Sequence, residues 1–401
     1  MAAGWSPLNA PFPYYTDAVQ NGPAPYHYYQ GSDNQAALMW ALTNAATDPD
    51  REPFVIPRGY AMTGPLTLPA PNVEGLRIEN ERNGVLIPHD SCAGQNVLDL
   101  TGIANADING LTIGRAAFNP AAKPFAVLAL GIGPASGNEV HFDGLSLYGM
   151  CIAATLFNEG SVSSSMRNSQ IHTYGTGHSM WHRGATSWKF DTVENHDSSM
   201  KWRQDVYPPG HPLYTGYGDN SPLRFDNCGD FKFDSGNIGG NSPRAVDFYG
   251  FNQKLTFDSV SMYAQDPAPK LANGQPGPGQ AYNGLFKNYG EVQTLRVLGC
   301  RADADAFIYG AVSGAIYRDM RHEGYVGPFK PGNMVAVDAA ATFEDIYMEC
   351  SGLPVNAGGH LGGIIRRGVF RNVSAINAIK VGVDWQTPDG RWHHSPPNGS
   401  E

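Results

Sequence analysis

The sequence predicts an all-β protein: a right-handed parallel β-helix of about eleven coils with an N-terminal capping helix. Three observations predict it. A six-residue motif recurs along the chain: apolar, polar, turn-former, apolar, any, apolar. The 401 residues include 48 Gly and 30 Pro, yet 41% are apolar. That composition suits many turns between short buried strands. One amphipathic helix precedes the repeats, where a solenoid needs a cover over its open end.

The motif copies begin at Val73, Ile108, Phe142, Met166, Phe190, Phe225, Phe257, Leu295, Tyr317, Phe343 and Phe370. Their start-to-start spacings are 35, 34, 24, 24, 35, 32, 38, 22, 26 and 27. The shortest correspond to one coil of three short strands and their turns, and the longer ones add a loop. The third position is mostly Gly, Asn, Ser, Thr or Asp, which tolerate bent or left-handed backbone, so a sharp corner belongs there. Apolar residues on both sides of it point inward and stack on the coils above and below. An antiparallel β-sandwich also has short strands and turns, but it has no reason to repeat one corner eleven times.

Residues 1–31, rich in Pro and Tyr and without periodicity, read as an extended arm. Residues 32–380 hold the β-helix. Its helix starts at Ser32 or Asp33 as cap, with an apolar face of Ala37, Leu38, Trp40, Ala41 and Leu42. Phe54 to Tyr60 then reads as a strand and turn. Residues 381–401 read as a loose polar tail.

A net charge of −10 argues against nucleic-acid binding, which needs a basic face. No apolar run of about 18 residues is present, so membrane insertion is not expected. The first fifteen residues lack the basic and apolar regions of a signal peptide; either export does not use that route, or a signal has been removed. Cys92, Cys151, Cys228, Cys300 and Cys350 form no C-x-x-C pair, so they read as small buried hydrophobes and no cofactor is expected.

The helix from Asn34 to Ala46, the segment Ile56-Pro57-Arg58-Gly59-Tyr60 and the corner repeat together resemble the pectate-lyase-like β-helix superfamily, in its phage tailspike and minor tail protein type. The resemblance covers roughly residues 32–380. It implies a virion tail protein, a homotrimer among other tail proteins, and a host-surface polysaccharide as ligand. The superfamily spans lyases, hydrolases, epimerases and non-catalytic tail proteins, so fold alone does not assign chemistry. The calcium and arginine signature of pectate lyases and the NTD/DD/GHG/RIK set of polygalacturonases are not found.

If the corners join the second and third strands of each coil, the first strands are 179–183, 199–203, 245–249 and 284–288. Alternation places Met180, Met200, Val246 and Leu285 inside. Trp181, Lys201, Asp247 and Phe286 then face outward in one column, and Arg183, Arg203, Tyr249 and Asn288 in the next. Flat rings stack on sugar faces, and cationic side chains read carboxylates or hydroxyls. The insertion from Asp205 to Asp219 adds Asp205 and Tyr207 beside this wall; long loops on a rigid scaffold often carry function. They could equally pack against a neighbour in a trimer, and the wall could be a plain solvated face.

Two chemistries fit. A lyase would use Lys201 or Arg203 as base, with the other neutralising a uronate. A hydrolase would pair Asp247 with Asp205, Asp197 or Glu194 across about 5–10 Å. His172, His178, His182 and His196 cluster in sequence but lack a fixed ligand spacing, so no metal is assigned; His182 falls on the inward register. The functions to separate are a tail component that binds a host polysaccharide, with or without degrading it, a secreted polysaccharide lyase or hydrolase, and a non-catalytic tail or adhesin module.

Overall fold

A carboxylate sets the start of the helix. In the computed structural model, Asp33 Oδ1 accepts from the backbone N–H of Gln35 at 2.9 Å and of Gly64 at 2.7 Å. The α-helix Gln35–Thr47 buries Ala37, Leu38, Ala41, Leu42 and Ala45. It packs against the strands Phe54–Ile56, Gly59–Thr63 and Leu66–Thr67. Trp40 is half-buried, with the Trp5 ring edge-on to it at 5.6 Å. The structure describes residues 4–21, 28–114, 126–133, 139–149, 151–173, 177–197, 221–240, 244–264, 284–303, 306–309, 316–318, 321–326, 342–344, 347–352, 355–357, 364–371, 373–376 and 379–397.

The expected extended arm is pinned along its described length. Trp5 exchanges backbone bonds with Pro53 and Val55 at 2.8 and 2.9 Å. Its indole N–H donates to Asp48 at 2.7 Å. The buried Asn34 amide clamps the Tyr15 backbone, accepting at 2.6 Å and donating at 3.0 Å. Val19–Asn21 then pairs antiparallel with Tyr28–Gln30. The expected loose tail likewise contains a hairpin, Asp384–Gln386 against Trp392–His394.

Apart from those hairpins the named strand pairings are parallel, as in a coil whose successive turns lie side by side. The chain divides into two units, residues 1–214 and 215–401. In the first, one register column runs Phe54, Ile78, Ile108, Phe142, Met166, Phe190. A second runs Leu86, Ile113, Leu147, Ile171, Asn195. A third runs Leu98, Leu130, Leu156, Met180. All of these side chains are buried, so like sits on like with strands about 4.8 Å apart. In the second unit the corresponding columns begin Phe233, Phe257, Val297; Ile238, Met262, Ala302; and Leu223, Val246, Phe286.

Among the described residues a left-handed bend falls at the motif's third position in seven copies, two of which, with Gly75 (φ +75°) and Asn227 (φ +55°), lie at a different corner of the coil from the rest. Gly110, Gly144, Asn168 and Thr192 take φ of +66°, +66°, +49° and +54° at the bend. Ser259 does the same at +56°; the third positions of the copies at Tyr317, Phe343 and Phe370 lie outside the described residues, while Tyr317 and Phe343 pair in register on adjacent strands. Val73 instead pairs with Ile103, at a different corner of the coil. Phe225 lies in the sheet that pairs with Val246 to Tyr249; the true corner there is Ser235, φ +59°. The Leu295 copy bends at Gly299 instead. Phe370 pairs with Met348, not with Phe343. The eleven copies therefore do not map one to one onto rungs.

Asn195 is the polar member of its column. Both side-chain amide atoms are buried with no hydrogen-bond partner among the described residues. Such a group costs about 1–3 kcal/mol, so Asn195→Leu, which extends the Ile171 stack, is expected to raise stability by about that amount. A lower urea midpoint in the variant would show that the amide has a partner.

Cys92, Cys151, Cys228 and Cys300 are buried, as read. Burial pushes the Cys151 thiol up to about 12 and Cys300 up to about 11. No helix among the described residues is long and apolar enough to cross a membrane.

Candidate functional site

In the first unit the strands Cys151–Glu159 and His178–Arg183 pair so that Phe157 meets Trp181, Asn158 meets His182 and Glu159 meets Arg183. Alternation turns Leu156, Met180, Asn158 and His182 inward, all of them buried. Phe157, Trp181, Glu159 and Arg183 are left on the outer face, partly or fully exposed. The Phe157 and Trp181 rings meet edge to face at 5.1 Å. Arg183 Nη2 lies 2.6 Å from Glu159 Oε1, and its guanidinium sits 5.1 Å from the Phe157 centroid and 5.8 Å from Trp181. Exposed ion pairs of this kind contribute little stability. The result is an open apolar platform edged by one paired cation and anion.

Beneath it lies a buried polar chain. The Trp188 indole N–H donates to Ser161 Oγ at 2.8 Å. The Ser161 hydroxyl donates to Asn158 Oδ1, and Asn158 Nδ2 donates to His182 Nδ1 at 2.9 Å. Burial lowers the His182 pKa to about 3, so the ring is neutral. Its inward register is as expected, and its role is packing.

A second outer face of this unit carries Tyr148, His172 and His196 on successive rungs. Their rings stack at 5.0 and 4.8 Å, and Glu194 lies two residues before His196 on the same strand. Burial, then the His196 charge, lowers His172 to about 4; burial lowers His196 against the opposing pull of Glu194.

In the second unit Tyr249 stacks on Tyr289 at 4.4 Å. The Arg224 guanidinium lies 4.0 Å above the Tyr249 ring and grips Asp226 through two bonds of 3.0 and 2.8 Å. Burial, then the Asp247 charge, raises the Tyr249 phenol. Asn288 is corrected: it pairs in register with the buried Phe248 and not with Tyr249, because the inward residues of its strand are one position later than expected; it is half-buried, and its Oδ1 accepts from Gly290 N at 3.0 Å.

Asp247 is corrected. It does not face solvent: it is 0% exposed and bound by Arg244, also 0% exposed, at 2.6 and 3.1 Å. The strand Arg244–Tyr249 is buried from Arg244 to Phe248 on both faces, so alternation does not bring Asp247 to water. It is a structural charge. Phe286 is also corrected: it is buried and stacked on Phe248 at 5.8 Å. Lys201, Arg203, Asp205 and Tyr207 lie outside the described residues, as does the side chain of Asp197. Trp181 and Arg183 face outward together in one unit, while Tyr249 and Asn288 belong to the other.

Phe157, Glu159, Arg224 and Tyr289 were not picked out from sequence, and His172 and His196 were read only as part of a four-histidine cluster, not as a pair. The signal for several was present. Phe157 to Trp181, Glu159 to Arg183 and His172 to His196 are each 24 residues apart, the coil length that also separates the corners at Met166 and Phe190.

No family model matches the chain, and no curated protein matches it either. Among solved structures, two of the Streptococcus pneumoniae surface adhesin PfbA align over 96% and 98% of this chain and 98% and 94% of theirs. Both are 9% identical, with TM-scores of 0.37 and 0.39. The Agl-KA catalytic domain aligns over 96% of this chain and 68% of its own at 12% identity, TM-score 0.34. Scores this low carry no argument about function.

Proposed function

We propose that the protein binds an extended, uncharged polysaccharide along the outer faces of its coils. The observation that carries this reading is the Phe157–Trp181 platform with Arg183 and Glu159 beside it. Aromatic faces supply the stacking surface a pyranose ring needs, and a paired guanidinium and carboxylate offer donors and acceptors to hydroxyls. Partly exposed aromatics clustered on an outer face are a surface a partner can cover. The Tyr249–Tyr289 stack with Arg224 offers the same chemistry in the second unit.

The charges favour an uncharged polymer. Arg183, Arg224 and Arg244 are each matched by a carboxylate, and the chain carries −10 overall. A polyuronate meets no uncompensated guanidinium on these walls among the described residues, and long-range repulsion besides. Asp247 is buried against Arg244, away from the wall, and Lys201 and Arg203 lie outside the described residues, so the reading proposed is binding.

Trp181→Ala is expected to weaken binding to its polysaccharide by about tenfold or more, as for a central aromatic anchor, with thermal stability little changed. Calorimetry on the full chain checks this. Unaltered affinity in both Trp181→Ala and Tyr249→Ala sinks the reading. New reducing ends or unsaturated products during incubation would make it a depolymerase instead.

We further propose a setting: a right-handed coil of about eleven turns, closed by the Gln35–Thr47 helix and working as a homotrimeric virion tail component at the host surface. Its support is the helix followed by Ile56-Pro57-Arg58-Gly59-Tyr60. A monomer in sedimentation equilibrium would remove the trimer.

A further inference from the structure

We propose that His172, His196 and Glu194 form a divalent-metal site on the outer face of the first unit, taking a borderline cation such as Zn2+. The fold brings them together. His172 and His196 occupy the same rung position on the adjacent strands Ser165–Thr173 and Trp188–Asp197. Glu194 precedes His196 by two residues, so alternation puts it on the same face. One ligand atom from each of the three lies within 4.8 Å of the other two, and His196 Nε2 lies 3.9 Å from Glu194 Oε2.

Two imidazoles and one carboxylate are a Zn2+ ligand set that leaves a fourth position open to water. Tetrahedral bonds of about 2.0–2.2 Å place the donors about 3.3 Å apart. The two rings now stack at 4.8 Å with 25° between their planes, so binding requires them to turn out of the stack until their in-plane lone pairs converge on the ion. Tyr148 backs the cluster by stacking on His172, and its phenol donates to Gln170 Oε1 at 3.0 Å. Gln170 sits beside Glu194 in register, so the surroundings of both ligands are set by the sheet. Both imidazoles are favoured in the neutral, ligand-ready form by burial. The plain alternative is a ring stack that only supports the sheet.

Zn2+ titrated calorimetrically into the full chain, with Co2+ absorption as a second readout, tests the site. About one ion per chain is expected, with tetrahedral Co2+ bands. Loss of an outer-sphere partner alone costs about 10–100-fold in affinity. His172→Ala and His196→Ala are therefore expected to lose about 100-fold or more, and Glu194→Gln about tenfold or more. His394→Ala, at a separate His–Asp pair in the tail hairpin, is expected to bind as the parent does. Circular dichroism confirms that each variant is folded. Absence of binding, retention in His172→Ala, or loss in His394→Ala overturns the proposal.

Discussion

Replacing Asp247 with alanine is expected to destabilise the protein by about 3–5 kcal/mol, the cost of stripping a buried charge of its partner. Arg244, itself fully buried, would lose both of its hydrogen bonds to this carboxylate. Its Nε and Nη2 now meet both Asp247 oxygens at 2.6 and 3.1 Å, and the Tyr289 ring lies 5.8 Å away. A quadrupole at that distance replaces little of a carboxylate. The double change Arg244→Met with Asp247→Leu removes both charges together and is expected to be near neutral, as buried pairs are when replaced by apolar groups of similar volume. Urea midpoints of the two single variants and the double variant form the cycle. If Asp247→Ala kept parental stability yet lost ligand binding, the residue would be functional and the structural reading wrong.

Acidification is expected to weaken the fold through His182. Its folded pKa is about 3, against an ordinary 6.5. Between those values the unfolded chain binds a proton that the folded chain does not, so stability falls as pH drops from about 6.5 toward 3. The limiting slope is about 1.4 kcal/mol per pH unit. The ring is packed against Trp188 and Phe190 at 5.5 Å, and burial is what lowers its pKa. His182→Asn removes the titration and keeps a polar group beside Asn158. Its stability between pH 6.5 and 4 is expected to fall less steeply than the parent's. His172 and His196 shift the same way and remain in both proteins, so the difference isolates His182. Parallel acid limbs in guanidinium titrations would contradict this.

Much of the fold was legible because a solenoid repeats the same physical problem. Gly110, Gly144, Asn168 and Thr192 turn at the predicted third position, and the apolar residues around them stack in register. The Leu295 copy is out by two residues, since Val297 and not Leu295 pairs with Phe257, whereas the copies at Val73, Phe225 and Phe370 were misplaced for one reason. Each coil has several corners, and apolar–polar–turn–apolar describes them all. The candidate site was legible where alternation alone decides it: Trp181 and Arg183 face out because Met180 and His182 face in. It failed at Asp247 because alternation assigns a residue to a face and says nothing of whether that face is covered. The partners Phe157 and Glu159 needed the coil length of 24 as well as the pattern within a strand.

The central claim is that the outer wall of the coils holds an uncharged glycan. Retention of the full chain and of Trp181→Ala on a panel of immobilised polysaccharides, uncharged and uronate-bearing, at physiological salt tests it most directly. The account predicts retention on one or more uncharged polymers, strong loss of that retention in Trp181→Ala, and none on polyuronates. Retention confined to the polyuronates, or retention that Trp181→Ala leaves untouched, would contradict it.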